Sequence, residues 1–296
     1  MKKTLFEGVA TALVTPMNKD GSVDYAALDR LVDWQIDEGI NALVACGTTG
    51  EASTLTDEEH RDVIARVVER ANKRVPVIAG TGSNDLEYAL SLTKYACDAG
   101  ADAVLTVTPY YNKATQAGLI QMYTKIADES RAPVILYNVP SRTGVNIAPA
   151  TYKALADHEN IIAIKEANGD ISKIVETMSY VNGKLDLYSG NDDQIVPLMS
   201  LGGKGVISVV SNILPAKTAL MAKKCLEGDY AGAAQLQYDL HAVIDSLFSE
   251  VNPIPVKAAT AKMGYGTNTL RLPLTPMSED KYEKMLTLMR AQGLNV

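Results

Sequence analysis

Little in this chain invites a metal ion or a disulfide. Its 296 residues include only three cysteines and three histidines. Cys46, Cys97 and Cys225 lie far apart, are odd in number and form no CxxC pair, so they read as reduced thiols packed in a core. His60, His158 and His241 belong to no HxxxH or HxxE pair, and no metal is expected. Basic residues are the minority, 28 Lys and Arg against 35 Asp and Glu, and a net charge of −7 argues against nucleic acid as a partner. An anionic ligand must then be held by a few placed donors. No apolar run approaches the ~18 residues of a membrane span, so no membrane partner is expected. The opening MKKTLFEGVA returns to charge at Glu7 before any apolar signal region can form. The expectation is a soluble, cytoplasmic protein.

The chain is long enough for one large core or two unequal domains, and 47% apolar with 21% charged residues is ordinary for a globular protein. Short apolar runs alternate with longer helical patterns. The runs are Val9–Thr15, Ala42–Cys46, Val75–Ala79, Ala103–Thr108, Val134–Asn138, Ile161–Lys165, Leu185–Ser189 and Val206–Val210. Each is nearly continuous rather than alternating, which suits parallel strands buried on both faces. Between them lie amphipathic stretches, one with Leu28, Leu31, Val32 and Ile36 ahead of Gly39, another opening on the capping-box pair Thr56 and Glu59. Eight such units are the count of a TIM (β/α)8 barrel, with a doubly wound open sheet as the alternative. After Val210 the strand signal stops. Residues from about 213 to 250, then 254–265 and 278–293, read as helices. The expected division is a barrel over 1–228 and a C-terminal helical extension over 229–296.

In a TIM barrel the chemistry sits at the C-terminal ends of the strands. Lys165 ends the apolar run Ile161–Ile164, so its stem starts inside the barrel. Desolvation there disfavours an ammonium and favours the free amine that attacks carbonyls; the plainer reading is a lysine reaching out to the mouth. Glu166 is a poor partner for it, because neighbouring strand residues point to opposite faces. Tyr137 ends the adjacent run and can bring a phenol near Lys165, with Thr48 as a hydrogen-bond partner; a structural tyrosine is the alternative. The turn Gly47-Thr48-Thr49-Gly50 offers consecutive amides and two hydroxyls, a nest for a small carboxylate or simply a tight turn. It is no P-loop, since no Gly-Lys-Ser/Thr follows. Arg142 can fork a second carboxylate or remain solvated. Asn191, Asp192 and Asp193 read as a helix N-cap run rather than a cation site.

Taken together, Gly-Val-Ala-Thr-Ala-Leu-Val-Thr-Pro (8–16), Gly-Thr-Thr-Gly-Glu (47–51), Thr-Pro-Tyr-Tyr-Asn (108–112), Tyr-Asn-Val-Pro-Ser-Arg-Thr-Gly (137–144) and Ile-Lys-Glu-Ala (164–167) resemble the dihydrodipicolinate synthase/N-acetylneuraminate lyase superfamily over essentially the whole chain. The resemblance implies Lys165 as the Schiff-base lysine and a proton relay of Thr48, Tyr137 and Tyr111, with Tyr111 lent across a dimer interface. It also implies that Thr49, Gly190 and Ile207 surround pyruvate. Arg142 points to the branch that condenses pyruvate with L-aspartate 4-semialdehyde on the diaminopimelate route to lysine. Another pyruvate-dependent class I aldolase, of the 2-keto-3-deoxy acid or N-acetylneuraminate type, is the alternative. A pyridoxal phosphate enzyme would need a phosphate cup, and a silent barrel should have lost part of the lysine–tyrosine–threonine set. No cofactor is implied, and the assembly implied is a homotetramer. Sensitive relatives bind lysine in a crevice between subunits, matched here by Ala52, Asp57, His60, Asn84, Tyr88 and Tyr110. Tyr88 stands where they carry a glutamate, and Asp57 where some carry a histidine.

Overall fold

The computed structural model describes residues 2–296. Eight parallel strands close into a barrel in sequence order: β1 (Gly8–Ala12), β2 (Ala42–Ala45), β3 (Val77–Gly80), β4 (Ala103–Val107), β5 (Val134–Asn138), β6 (Ile161–Glu166), β7 (Asp186–Ser189) and β8 (Gly205–Ser208). Closure is made by β8 pairing with β1, Val9 opposite Val206 and Ala10 opposite Ile207. All eight apolar runs became strands, so the barrel replaces the open sheet as the reading.

Two cores follow from the two faces of each strand. Inside the barrel Ala10, Ala12, Ala42, Val44, Ile78, Ala103, Ala163 and Ile207 pack with Tyr188 and Phe6. Alanines alternate with larger residues there because eight strands enclose only enough space for side chains to meet. Phe6 lies just ahead of β1, at the N-terminal end, with its ring stacked on Tyr188 at 4.3 Å. The Tyr188 hydroxyl donates to the Phe6 carbonyl at 2.7 Å. Outside, a larger cluster joins the strands to the helices. The helix Asp57–Ala71 starts on the expected capping box: Thr56 Oγ1 accepts from Glu59 N at 3.2 Å and Glu59 Oε2 accepts from Thr56 N at 2.9 Å.

The pairing of β5 with β6 slips by one residue, Val134 opposite Ile161 but Ile135 opposite Ala163. Ile162 is therefore the extra residue of a bulge, and both it and Ala163 face the interior. Simple alternation counted forward from Ile161 does not anticipate this.

The stretch 213–250 forms two helices, Pro215–Leu226 and Tyr230–Ser246, broken at Gly228, whose φ of +82° suits only glycine comfortably. Two further helices follow, Ile254–Lys262 and Glu279–Ala291. Buried residues of the last three helices, among them Leu240, Val256, Met285 and Met289, join the same cluster as Val9 and Leu13 of the barrel segment. Trp34 packs by stacking on Tyr265 at 5.1 Å. Among the described residues no helix is long and apolar enough to cross a membrane.

Candidate active site

Lys165 is 6% exposed, within the C-terminal half of β6, between Tyr137 of β5 and Tyr188 of β7 in the strand register. The bulge at Ile162 sets that register. Its Nζ lies 4.2 Å from the centroid of the Tyr137 ring, and among the described residues it has no ion-pair partner. Lys165 itself is not among the residues lining the cavity at the mouth; the Tyr137 ring, which does line it, stands between that cavity and the lysine nitrogen's contact face.

Glu166 points the other way, as strand alternation requires. Its buried carboxylate accepts from Asn138 Nδ2 at 2.9 Å, from the Tyr152 hydroxyl at 3.0 Å and from Asn168 N at 3.0 Å. Burial nonetheless pushes its pKa up to about 7, against the pull of those donors. Asn138 Oδ1 accepts from Ile147 N at 3.1 Å, so this network also anchors the far end of the loop that carries Arg142.

Tyr137, Thr48 and Arg142 line one cavity of about 400 Å³ at the C-terminal end of the barrel. No direct hydrogen bond joins Thr48 to Tyr137, which corrects the expected pairing; any proton passing between them needs a bridging group. Thr49 is buried, and its hydroxyl accepts from Asn252 Nδ2 at 3.0 Å. Arg142 sits in the short helix Pro140–Thr143 and donates to the Asn252 carbonyl at 2.9 Å. Gly190 follows β7, its N–H donating to the Glu166 carbonyl at 2.7 Å, and a Cβ there would stand 2.8 Å from the Ala167 methyl. Ile207 is buried in β8. Tyr111 is 92% exposed with a φ of +68°, and it lies outside its own chain's cavity.

The same cavity continues past Ala52, His60, Tyr88 and Tyr110. His60 Nε2 is 2.8 Å from the Gly80 carbonyl, and burial lowers its pKa. Asp57 pairs with Arg61 on its own helix at 2.8 Å. Asn84 offers its carbonyl to Asn112 at 3.0 Å.

The acidic run 191–193 opens a helical turn, as expected. Asn191 takes the N-cap position of the short turn Asp192–Gln194 but makes no side-chain cap bond; Asp192 is buried, and its Oδ2 accepts from Val209 N and Val210 N at 2.9 and 2.8 Å, so it holds the first amides of the turn Val210–Asn212 after β8 instead of its own. The residues the sequence did not single out are Glu51, Asn252 and Lys257. Lys257 and Glu51 form an ion pair with both side chains almost fully buried. The available signal was a single lysine inside the apolar run Ile254–Thr260, every residue of which is buried.

Fold and site together define a barrel enzyme with its lysine, tyrosine and threonine gathered at the strands' C-terminal mouth. The family model for the dihydrodipicolinate synthetase family matches residues 5–292, and the chain belongs to that family. It is 51% identical, over 99% of its length and 100% of the relative's, to the 4-hydroxy-tetrahydrodipicolinate synthase of Acetivibrio thermocellus. It is 54% identical, over 95% and 96%, to that of Lachnoclostridium phytofermentans. Among solved structures, the dihydrodipicolinate synthase of Acinetobacter baumannii complexed with pyruvate superposes with a TM-score of 0.95 at 46% identity, covering 98% of this chain and 99% of that one.

Proposed function

We propose that the chain catalyses the condensation of pyruvate with L-aspartate 4-semialdehyde, the activity of the 4-hydroxy-tetrahydrodipicolinate synthases. It is an enzyme of the carbon–carbon bond-forming lyase type. The observation that carries the reading is Lys165, buried against the Tyr137 ring with no carboxylate within ion-pair distance among the described residues. A 2-keto-3-deoxy acid aldolase or N-acetylneuraminate lyase would share that lysine, but the two relatives reported at about half identity carry the synthase name.

In this reading Lys165 Nζ attacks the ketone carbon of pyruvate as the free amine, and water leaves as the imine forms. The protonated imine draws electrons from the methyl group, which loses a proton to give an enamine. The enamine carbon bonds to the aldehyde carbon of the semialdehyde, whose oxygen takes up a proton. The substrate's own amine then closes on the imine carbon, and the bond to Lys165 breaks to return the free lysine and a six-membered ring. Thr48, Tyr137 and a neighbouring subunit's copy of Tyr111 are the candidates for moving these protons. Amides and hydroxyls of Thr48 and Thr49 hold the pyruvate carboxylate, Gly190 and Ile207 wall the site, and Arg142 takes the semialdehyde carboxylate. The product enters the diaminopimelate route to lysine, and a cytoplasmic homotetramer is the assembly proposed.

The test is borohydride trapping with pyruvate, followed by peptide mapping. Label on Lys165, with loss of activity in Lys165→Ala, supports the assignment. Label on another lysine, or an active Lys165→Ala, overturns it.

A further inference from the structure

Asn252 touches both halves of the candidate site from outside the barrel. Its side-chain Nδ2 donates to Thr49 Oγ1 at 3.0 Å, and its backbone carbonyl accepts from Arg142 at 2.9 Å. The contacts span 203 and 110 residues of sequence. Asn252 is 6% exposed and stands just ahead of the helix Ile254–Lys262, whose residues Ile254–Thr260 are all buried. Five residues on, Lys257 pins Glu51, two residues after Thr49.

Hydrogen-bond direction makes this contact informative. An amide nitrogen only donates, whereas a threonine hydroxyl donates once and accepts twice. With Asn252 Nδ2 on a lone pair, the Thr49 proton must point elsewhere, and the bond from Asn252 is the only protein hydrogen bond of that hydroxyl among the described residues. Asn252 Oδ1, meanwhile, is buried without a partner. Turning the amide over would let Oδ1 take the Thr49 proton but would leave Nδ2 buried without an acceptor, so one end is orphaned either way; the orientation found is the one that leaves the hydroxyl free to donate. An orphaned buried acceptor costs about 1–3 kcal/mol and calls for an explanation.

We infer that Asn252 is a positioning residue that sets Thr49 as a hydrogen-bond donor toward the pyruvate carboxylate and, through its backbone, fixes Arg142 for the second substrate. The inference rests on the roles proposed above for Thr49 and Arg142. It separates the two contacts by atom type: the side chain serves pyruvate, the main chain serves the semialdehyde.

Asn252→Asp and Asn252→Ala test this. Aspartate keeps the shape but accepts, so it takes the Thr49 proton away from the substrate; alanine merely removes the donor. Both retain the backbone carbonyl. Losing one such hydrogen bond corresponds to a KM for pyruvate raised about tenfold in Asn252→Asp, and less in Asn252→Ala. The pyruvate dependence of borohydride trapping should shift in parallel, while the KM for the semialdehyde moves less than about twofold. In a Thr49→Val background, Asn252→Asp should add nothing further. A pyruvate KM near the wild-type value in the aspartate variant, equal changes for both substrates, or an undiminished effect in the Thr49→Val background would overturn the inference. So would failure of both variants to fold, since Asn252 would then be a stability residue. Wild-type trapping is the control: if pyruvate does not label Lys165, the proposed reaction fails, whereas normal wild-type trapping with silent Asn252 variants removes only the role of Asn252.

Discussion

Lys257 and Glu51 form the one ion pair, among the described residues, in which both side chains are buried, at 2% and 1% exposure. Glu51 closes the Gly-Thr-Thr-Gly-Glu turn with a φ of +55°, and Lys257 reaches it from a helix whose residues Ile254–Thr260 are all buried. Desolvation lowers the Lys257 pKa and Glu51 counters it. The pair joins the C-terminal helices to the catalytic mouth.

Removing one member strands a buried charge. Lys257→Met should destabilise the fold by about 3–5 kcal/mol, read as a shift in urea midpoint at unchanged slope. Adding Glu51→Gln should recover part of that loss, because the orphaned carboxylate disappears. Strictly additive losses in the double variant would show that the two groups do not depend on each other.

Glu166 gives the fold a pH dependence. Unfolded, it titrates near 4.5; folded, near 7. Between those values the folded chain keeps a proton that the unfolded chain has released, so stability falls as pH rises from about 4.5 to about 7 and the penalty is complete above that. The shift corresponds to about 3 kcal/mol. Glu166→Gln has no such proton to lose. Its unfolding free energy, relative to wild type, should therefore climb between pH 5 and pH 8; a pH-independent difference would contradict the burial argument.

Tyr111 is too exposed to serve its own chain. If a second subunit receives it, mixing the inactive variants Tyr111→Phe and Lys165→Ala should restore activity through hybrid dimers, assayed after subunit exchange is verified by mass spectrometry. Absence of recovery would assign each chain a self-sufficient site.

Feedback by lysine should be weak. Tyr88 offers no carboxylate to an α-ammonium, and Asp57 is already engaged by Arg61 at 2.8 Å. A missing charge-assisted hydrogen bond of about 1.5–3 kcal/mol weakens binding roughly ten- to a hundredfold. Half-inhibition at submillimolar lysine in a steady-state assay would show that the crevice, continuous here with the catalytic cavity, binds by another route.

The barrel was legible because its signals are local. Continuous apolar runs mark strands buried on both faces, and Lys165 at the end of one stands out against Ile161–Ile164. The bulge at Ile162 was not legible, since nothing in Ile-Ile-Ala-Ile says which residue is the extra one; only pairing with β5 decides it. Asn252 and Lys257 were missed for a similar reason. Their partners Thr49 and Glu51 lie 203 and 206 residues away, and no periodicity records a contact across that distance. The acidic run at 191–193 does open a helical turn, as its composition says, but the Asp192 side chain turns inward to the amides of Val209 and Val210, a contact that no local pattern records.

Phe6 stacked on Tyr188 stoppers the floor of the barrel. Traffic must then use a single doorway, the rim where Arg142 and Tyr137 stand. On the chemistry proposed above, the keto acid that bonds to Lys165 arrives first and sits deepest, and the later reactant lands on top of it like a second card on a pile. An aldehyde that enters ahead of the keto acid therefore obstructs the reaction, and excess of the second substrate should slow turnover in competition with the first.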